Sequence, residues 1–133
     1  MVNESKKILS EISAGELLDK ISILEIKLDK IKDKTRNSEI KKEYEVLKKI
    51  EKSYIEANDK IKKLIIQIKD VNLALWDIED EIRICEKNKN FDKNFIKLAR
   101  SVYITNDKRA KIKSEINEIL KSNIKEVKQY VDY

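Results

Sequence analysis

A chain of 133 residues that is 41% apolar, 41% charged and 6% aromatic has the length of one domain and the composition of a helical one. One glycine and no proline leave little to build hairpin turns; the absence of histidine excludes His-based triads and metal sites, and the single cysteine excludes a disulfide framework or a thiolate zinc cage. The 30 basic residues exceed the 25 acidic ones by five, which solvated helix faces explain better than nucleic acid does.

Residues 1–15 contain acids and no apolar run of signal-peptide length, and no later stretch approaches about 18 apolar residues. The expectation is a cytoplasmic protein without a membrane contact. Residues 1–12, with Ile8, Leu9 and Ile12, read either as one further helical turn or as a loose arm. Ser13-Ala14-Gly15-Glu16 has the S-x-x-E form of a capping box, so a first helix is predicted over 14–33, with Leu17, Ile21, Leu24, Leu28 and Ile31 on one face. The pattern lapses over 33–38, where Asn37 or Ser38 offers the next N-cap.

From Ile40 to Cys85 apolar residues recur at alternating spacings of three and four, interrupted only by Glu43. This predicts one helix over 38–87, a rod of roughly 70 Å for the seam at about 1.5 Å per residue, with a coiled-coil repeat. A break near Asn58-Asp59 is conceivable, but no proline or glycine enforces it. Asp92 caps a third helix over 93–121, where Phe95, Leu98, Val102, Ile112, Ile116 and Ile119 share a face that Thr105 and Arg109 interrupt. Asn123 and Glu126 suggest a short last helix over 124–131. The expected architecture is a single all-α domain. A long central helix is flanked by antiparallel partners, as in a three-helix bundle or coiled coil, and the part of its seam that two short partners leave uncovered predicts a homodimer; the alternative is a monomeric three-helix bundle with the long helix bent.

Charge is unevenly spread: residues 70–92 carry seven acids against three bases, and residues 93–133 carry ten bases against five acids. If the turn between them is centred near residue 89 or 90, Glu79 lies opposite Arg100, Trp76 opposite Tyr103, and Asn72 opposite Asn106 or Asp107. Asn72, Trp76, Glu79 and Arg83 form one stripe at helical spacing, and Arg100, Tyr103 and Asp107 another. Together with Asp80 and Arg109 these make the candidate ligand- or partner-binding set. Three of the four arginines fall here in a chain that otherwise uses lysine, and a guanidinium fork grips a carboxylate or phosphate as lysine cannot. The competing reading is structural: ion pairs of Glu79 with Arg100, and of Asp107 with Arg109 or Arg83, fix helix register. Asp77 with Asp80 and Glu115 with Glu118 only loosely echo helical magnesium sites, so no metal and no cofactor is expected. Cys85 ends the seam as a core residue.

The segments GELLDKISILEIKL (15–28), NLALWDIEDEIR (72–83) and FIKLARSVYITNDKRAKIKSEIN (95–117) resemble the signature wording of a family of small bacterial helical proteins of unknown function. The resemblance runs from Ser13 to Tyr133. It implies no catalytic assignment, and it implies a supporting role in surface-polysaccharide or glycosyl-transfer processes. The residues favour a helical interaction protein that self-associates and docks a protein partner. The alternative is a small all-α enzyme or binding protein that grips an anionic small molecule through arginines.

Overall fold

Each helix of this protein starts at a short polar side chain that accepts from the first turn: Ser13 from the Glu16 amide, Asp33 from Thr35, Asn58 from Ile61, and Asp92 from Asn94 and Phe95. In the computed structural model, which describes residues 6–133, these caps open α1 (Ala14–Lys30), α2 (Lys34–Tyr54), α3 (Asp59–Lys87) and α4 (Lys93–Ile119). Among the described residues the fold is all-α, and no helix is long and apolar enough to cross a membrane. Residues 1–5 of the expected N-terminal arm lie outside the described residues; residues 6–13 are not helical, and Ile8 and Leu9 are exposed.

The seam expected to form one rod over 38–87 is two helices. Ile55 leaves the helical region with φ −115° and ψ 120°, and Asn58, with φ −80° and ψ 178°, places its Oδ1 2.9 Å from the Ile61 amide. An asparagine that accepts from a free N–H competes with helix continuation, and no backbone breaker is required. The turn also has a packing cause. It brings Ile55 against the cluster of Leu18, Ile61, Leu64 and Ile116, which a straight rod would carry away from α1.

Nor is the long helix the centre. α1 packs on all three other helices, whereas α2 packs on α1 alone. Accordingly α1 buries Gly15, Leu17, Leu18, Asp19, Ile21, Ser22, Leu24 and Ile26, positions that run round most of its circumference, while α2 buries nothing fully. A helix apolar on most sides is a buried helix, so α1 is the axis of a four-helix arrangement rather than a flank of a three-helix one. Contacts of Asp19 with Asn72 and Arg109, and of Gly15 with Asn117, show α1 running parallel to α3 and antiparallel to α4.

The expected helix over 124–131 does not form. α4 ends in a Schellman turn with Lys121 at φ 51°, the Ser122 amide bonded to the Asn117 carbonyl. Glu126, instead of capping Asn123, bonds to Lys113. The chain ends α3 in the same way, with a lysine, Lys89 at φ 52°, in the position usually given to glycine.

Candidate functional site

The stripe on α3 is where the spacing puts it. Counted from the buried Leu75, residues 72, 76, 79 and 83 all fall within about 100° on one side of the helix, the side that looks along α1. There Asn72, Leu75, Trp76, Glu79, Asp80 and Arg83 of α3 line a cleft of about 510 Å³ with Ile23 and Ile26 of α1 and Asn106 and Arg109 of α4. Ile23, Ile26, Leu75 and the half-buried Trp76 supply its apolar lining. Asn72 and Asn106 therefore share one site, as the turn-centred register anticipates.

Arg100, Tyr103 and Asp107 do not join it. Leu98 is buried against α3 and Val102 is half-buried beside it. At about 100° per residue Arg100 then lies some 200° round the helix from Leu98, and Tyr103 and Asp107 some 140° and 180°. The three do form a stripe, but on the far side of α4. Arg100 is exposed and makes no ion pair among the described residues; Tyr103 packs edge-on against Tyr133 with centroids 5.4 Å apart, and Asp107 accepts from the Tyr133 hydroxyl. The expected Glu79–Arg100 and Trp76–Tyr103 pairs are thus replaced: Glu79 binds Arg83 one turn along its own helix, and Tyr103 binds the C-terminal residue.

Behind the cleft lies a polar cluster that the sequence reading missed. Asp19 is fully buried, and both oxygens of its carboxylate accept from the Arg109 fork, Nε donating to Oδ1 at 2.9 Å and Nη2 to Oδ2. Asn72 Nδ2 donates to Asp19 Oδ1 at 2.9 Å and to Ser22 Oγ at 2.8 Å, and Ser22 donates to the Asp19 carbonyl. Lys113, also buried, donates to Glu16 at 2.6 Å and to Glu126 at 2.9 Å, with Asp19 3.9 Å away. The hydrogen bond that Arg109 donates to Asp19 raises the Arg109 pKa despite burial; burial lowers that of Lys113, but its bonds to Glu16 and Glu126 outweigh this and leave it raised. The structural reading of Arg109 as a register-fixing ion pair thus has a physical form, with a partner on α1 rather than on its own helix. A signal was present in the sequence: Asp19 and Ser22 sit three apart inside the most continuously apolar stretch of α1.

This cluster ties down residues 122–133. The hydrogen bond from Lys113 holds the Glu126 carboxylate below its usual 4.5. A carboxylate with a depressed folded pKa adds stability that is present above 4.5 and lost as the pH falls through the lowered value. The Glu126 side chain keeps 42% exposure, so the contribution is under about 1 kcal/mol. NMR shifts of the last ten or so residues are expected to move toward random-coil positions between about pH 5 and about pH 3, and Glu126→Gln is expected to remove that step. A Glu126→Gln spectrum that still shows the step assigns it to another carboxylate.

Among the described residues no group of three or more carboxylates or thiols gathers as a metal site, and Cys85 is buried in the α3–α4 seam. A family model described as a family of unknown function (DUF6165) matches residues 8–132. No curated protein and no solved structure matches the chain.

Proposed function

We propose that this chain, which belongs to that family of unknown function, is a helical interaction protein that self-associates and docks a protein partner. The observation that carries the reading is the state of the cleft's two arginines, each already held by a carboxylate of its own chain: Arg83 by Glu79 and Arg109 by Asp19. An anion grip needs guanidinium charge that is not already balanced by a carboxylate, whereas a docking surface needs uncovered apolar side chains. Val46, Ile50 and Tyr54 of α2 are 54%, 36% and 83% exposed on a helix with one partner. The resemblance of the signature segments implies that partners are to be sought in surface-polysaccharide and glycosyl-transfer processes.

Sedimentation equilibrium from about 1 µM to about 1 mM tests the first half, with a concentration-dependent dimer expected across this ordinary range of affinities. A single monomeric species throughout refutes self-association. A thermal-shift screen against nucleotide sugars, sugar phosphates and dicarboxylates tests the second, with no stabilisation expected. A selective rise in melting temperature with one of them would move the support to the arginine-gripping alternative.

A further inference from the structure

Among the described residues, one exposed helix face and one open cleft have complementary chemistry. The first is α2, with seven bases against four acids. Val46, Ile50 and Tyr54 follow one another at spacings of four and so share a face, and Lys42 and Lys49, four before and three after Val46, lie beside it. Both lysines are exposed and make no ion pair among the described residues. The second is the cleft, whose apolar lining of Ile23, Leu75 and Trp76 is rimmed by Glu79 and the exposed Asp80. Its two arginines are neutralised within the chain, so the net field at the rim is that of Asp80 and of the acidic segment around it, seven acids against three bases over 70–92.

The two surfaces cannot meet within one molecule. α2 touches α1 and no other helix, while the cleft lies between α1, α3 and α4. α1 has 17 residues beside the 29 of α3 and the 27 of α4, so the cleft opens toward a stretch of the α3–α4 hairpin that α1 does not accompany. We propose that α2 of a second copy occupies this cleft, with Val46, Ile50 and Tyr54 on its apolar lining and Lys42 and Lys49 toward Asp80, each copy giving its α2 and receiving the other's. The inference rests on the self-association reading and specifies its geometry. A reciprocal exchange is closed and two-fold, so it stops at a dimer and buries the contact twice.

Charge reversal tests it. Lys42→Glu/Lys49→Glu places acid against acid, and Asp80→Lys places base against base; each variant is expected to weaken the dimer at least tenfold in sedimentation, with helicity and melting temperature confirming the fold. Mixed one to one, the two variants are expected to form a heterodimer of wild-type strength, because both cleft contacts are then opposite in charge. Trp76 is the only tryptophan, so its emission is expected to shift to the blue as wild-type dimer forms. If the wild type dimerises but neither reversal weakens it, or the Trp76 emission stays constant, α2 is not in the cleft, self-association stands through another face, and the cleft is left to a different partner. If the wild type never dimerises, this inference and the reading beneath it both fall.

Discussion

Replacing Asp19 with alanine is expected to destabilise the fold by about 3 kcal/mol, and to lower the melting temperature by on the order of 10 °C. The carboxylate is fully buried, and it is the acceptor for the Arg109 fork and for Asn72 at once. Its removal leaves a guanidinium and an amide facing a gap where water enters poorly, and Lys113 loses a negative neighbour at 3.9 Å. Loss of one member of a buried pair costs about 3–5 kcal/mol. The lower end applies because the Arg109 side chain keeps 28% exposure and regains some hydration. Asp19→Asn preserves the shape and one acceptor and is expected to fall between. Urea unfolding of the three proteins measures the order; a loss below about 1 kcal/mol for the alanine variant would mean that the pair is no stronger than a surface bridge.

The helical class, the N-caps at Ser13 and Asp92, and the stripe Asn72–Trp76–Glu79–Arg83 are all written locally, in spacing and in short polar side chains, and a reading of the sequence recovers them; of the other two caps, it places the second at Asn37 or Ser38 where Asp33 serves, and it carries the helix through Asn58. What it misses depends on a third body. Pairing α3 with α4 alone makes any polar stripe on one helix look suited to a polar stripe on the other, which led to Glu79 opposite Arg100. Once Leu98 and Val102 must face α3, Arg100 is turned to the far side, and this was computable from their separation by two residues. That α1 sits against both helices was harder to see, because its broad apolar circumference reads as a good amphipathic helix if only Leu17, Ile21, Leu24 and Leu28 are counted. Including Leu18, Ile23 and Ile26 makes it a buried one, and Asp19 then becomes a charge needing a partner. The Ile40–Cys85 seam shows the converse limit: the periodic pattern runs on across Asn58, although only its α3 half is buried while Ile50 and Tyr54 on α2 stay exposed, and periodicity carries no information about a turn that preserves it. The Ser13 box is likewise half realised. Ser13 Oγ accepts from the Glu16 amide at 3.1 Å, but the Glu16 carboxylate turns to Lys113.

Gly15→Val, at the chain's one glycine, is expected to cost 3 kcal/mol or more, and Gly15→Ala about 1–3 kcal/mol. A Cβ at this position would lie 2.5 Å from the Lys113 carbonyl oxygen and 2.9 Å from Asn117 Oδ1. The first is backbone within α4 and cannot swing aside, so α1 must retreat from α4. Retreat breaks the contacts that satisfy the free N–H groups of the α1 N-terminus on that helix's far end, Gly15 to Asn117 at 2.7 Å and Ala14 to Ser122 at 3.0 Å. It also stretches the Glu16–Lys113 bridge one residue on. Alanine recovers up to about 1 kcal/mol through its greater helix propensity, which partly offsets the clash; valine recovers less and adds two branches at the same point. Because Gly15 and Asp19 act through the same helix pair, the Gly15→Ala/Asp19→Ala double variant is expected to lose less than the two single losses together. Full additivity in thermal unfolding would mean that the glycine contact and the buried ion pair hold α1 independently, and that α1 is seated on α4 by two separate anchors rather than one continuous interface.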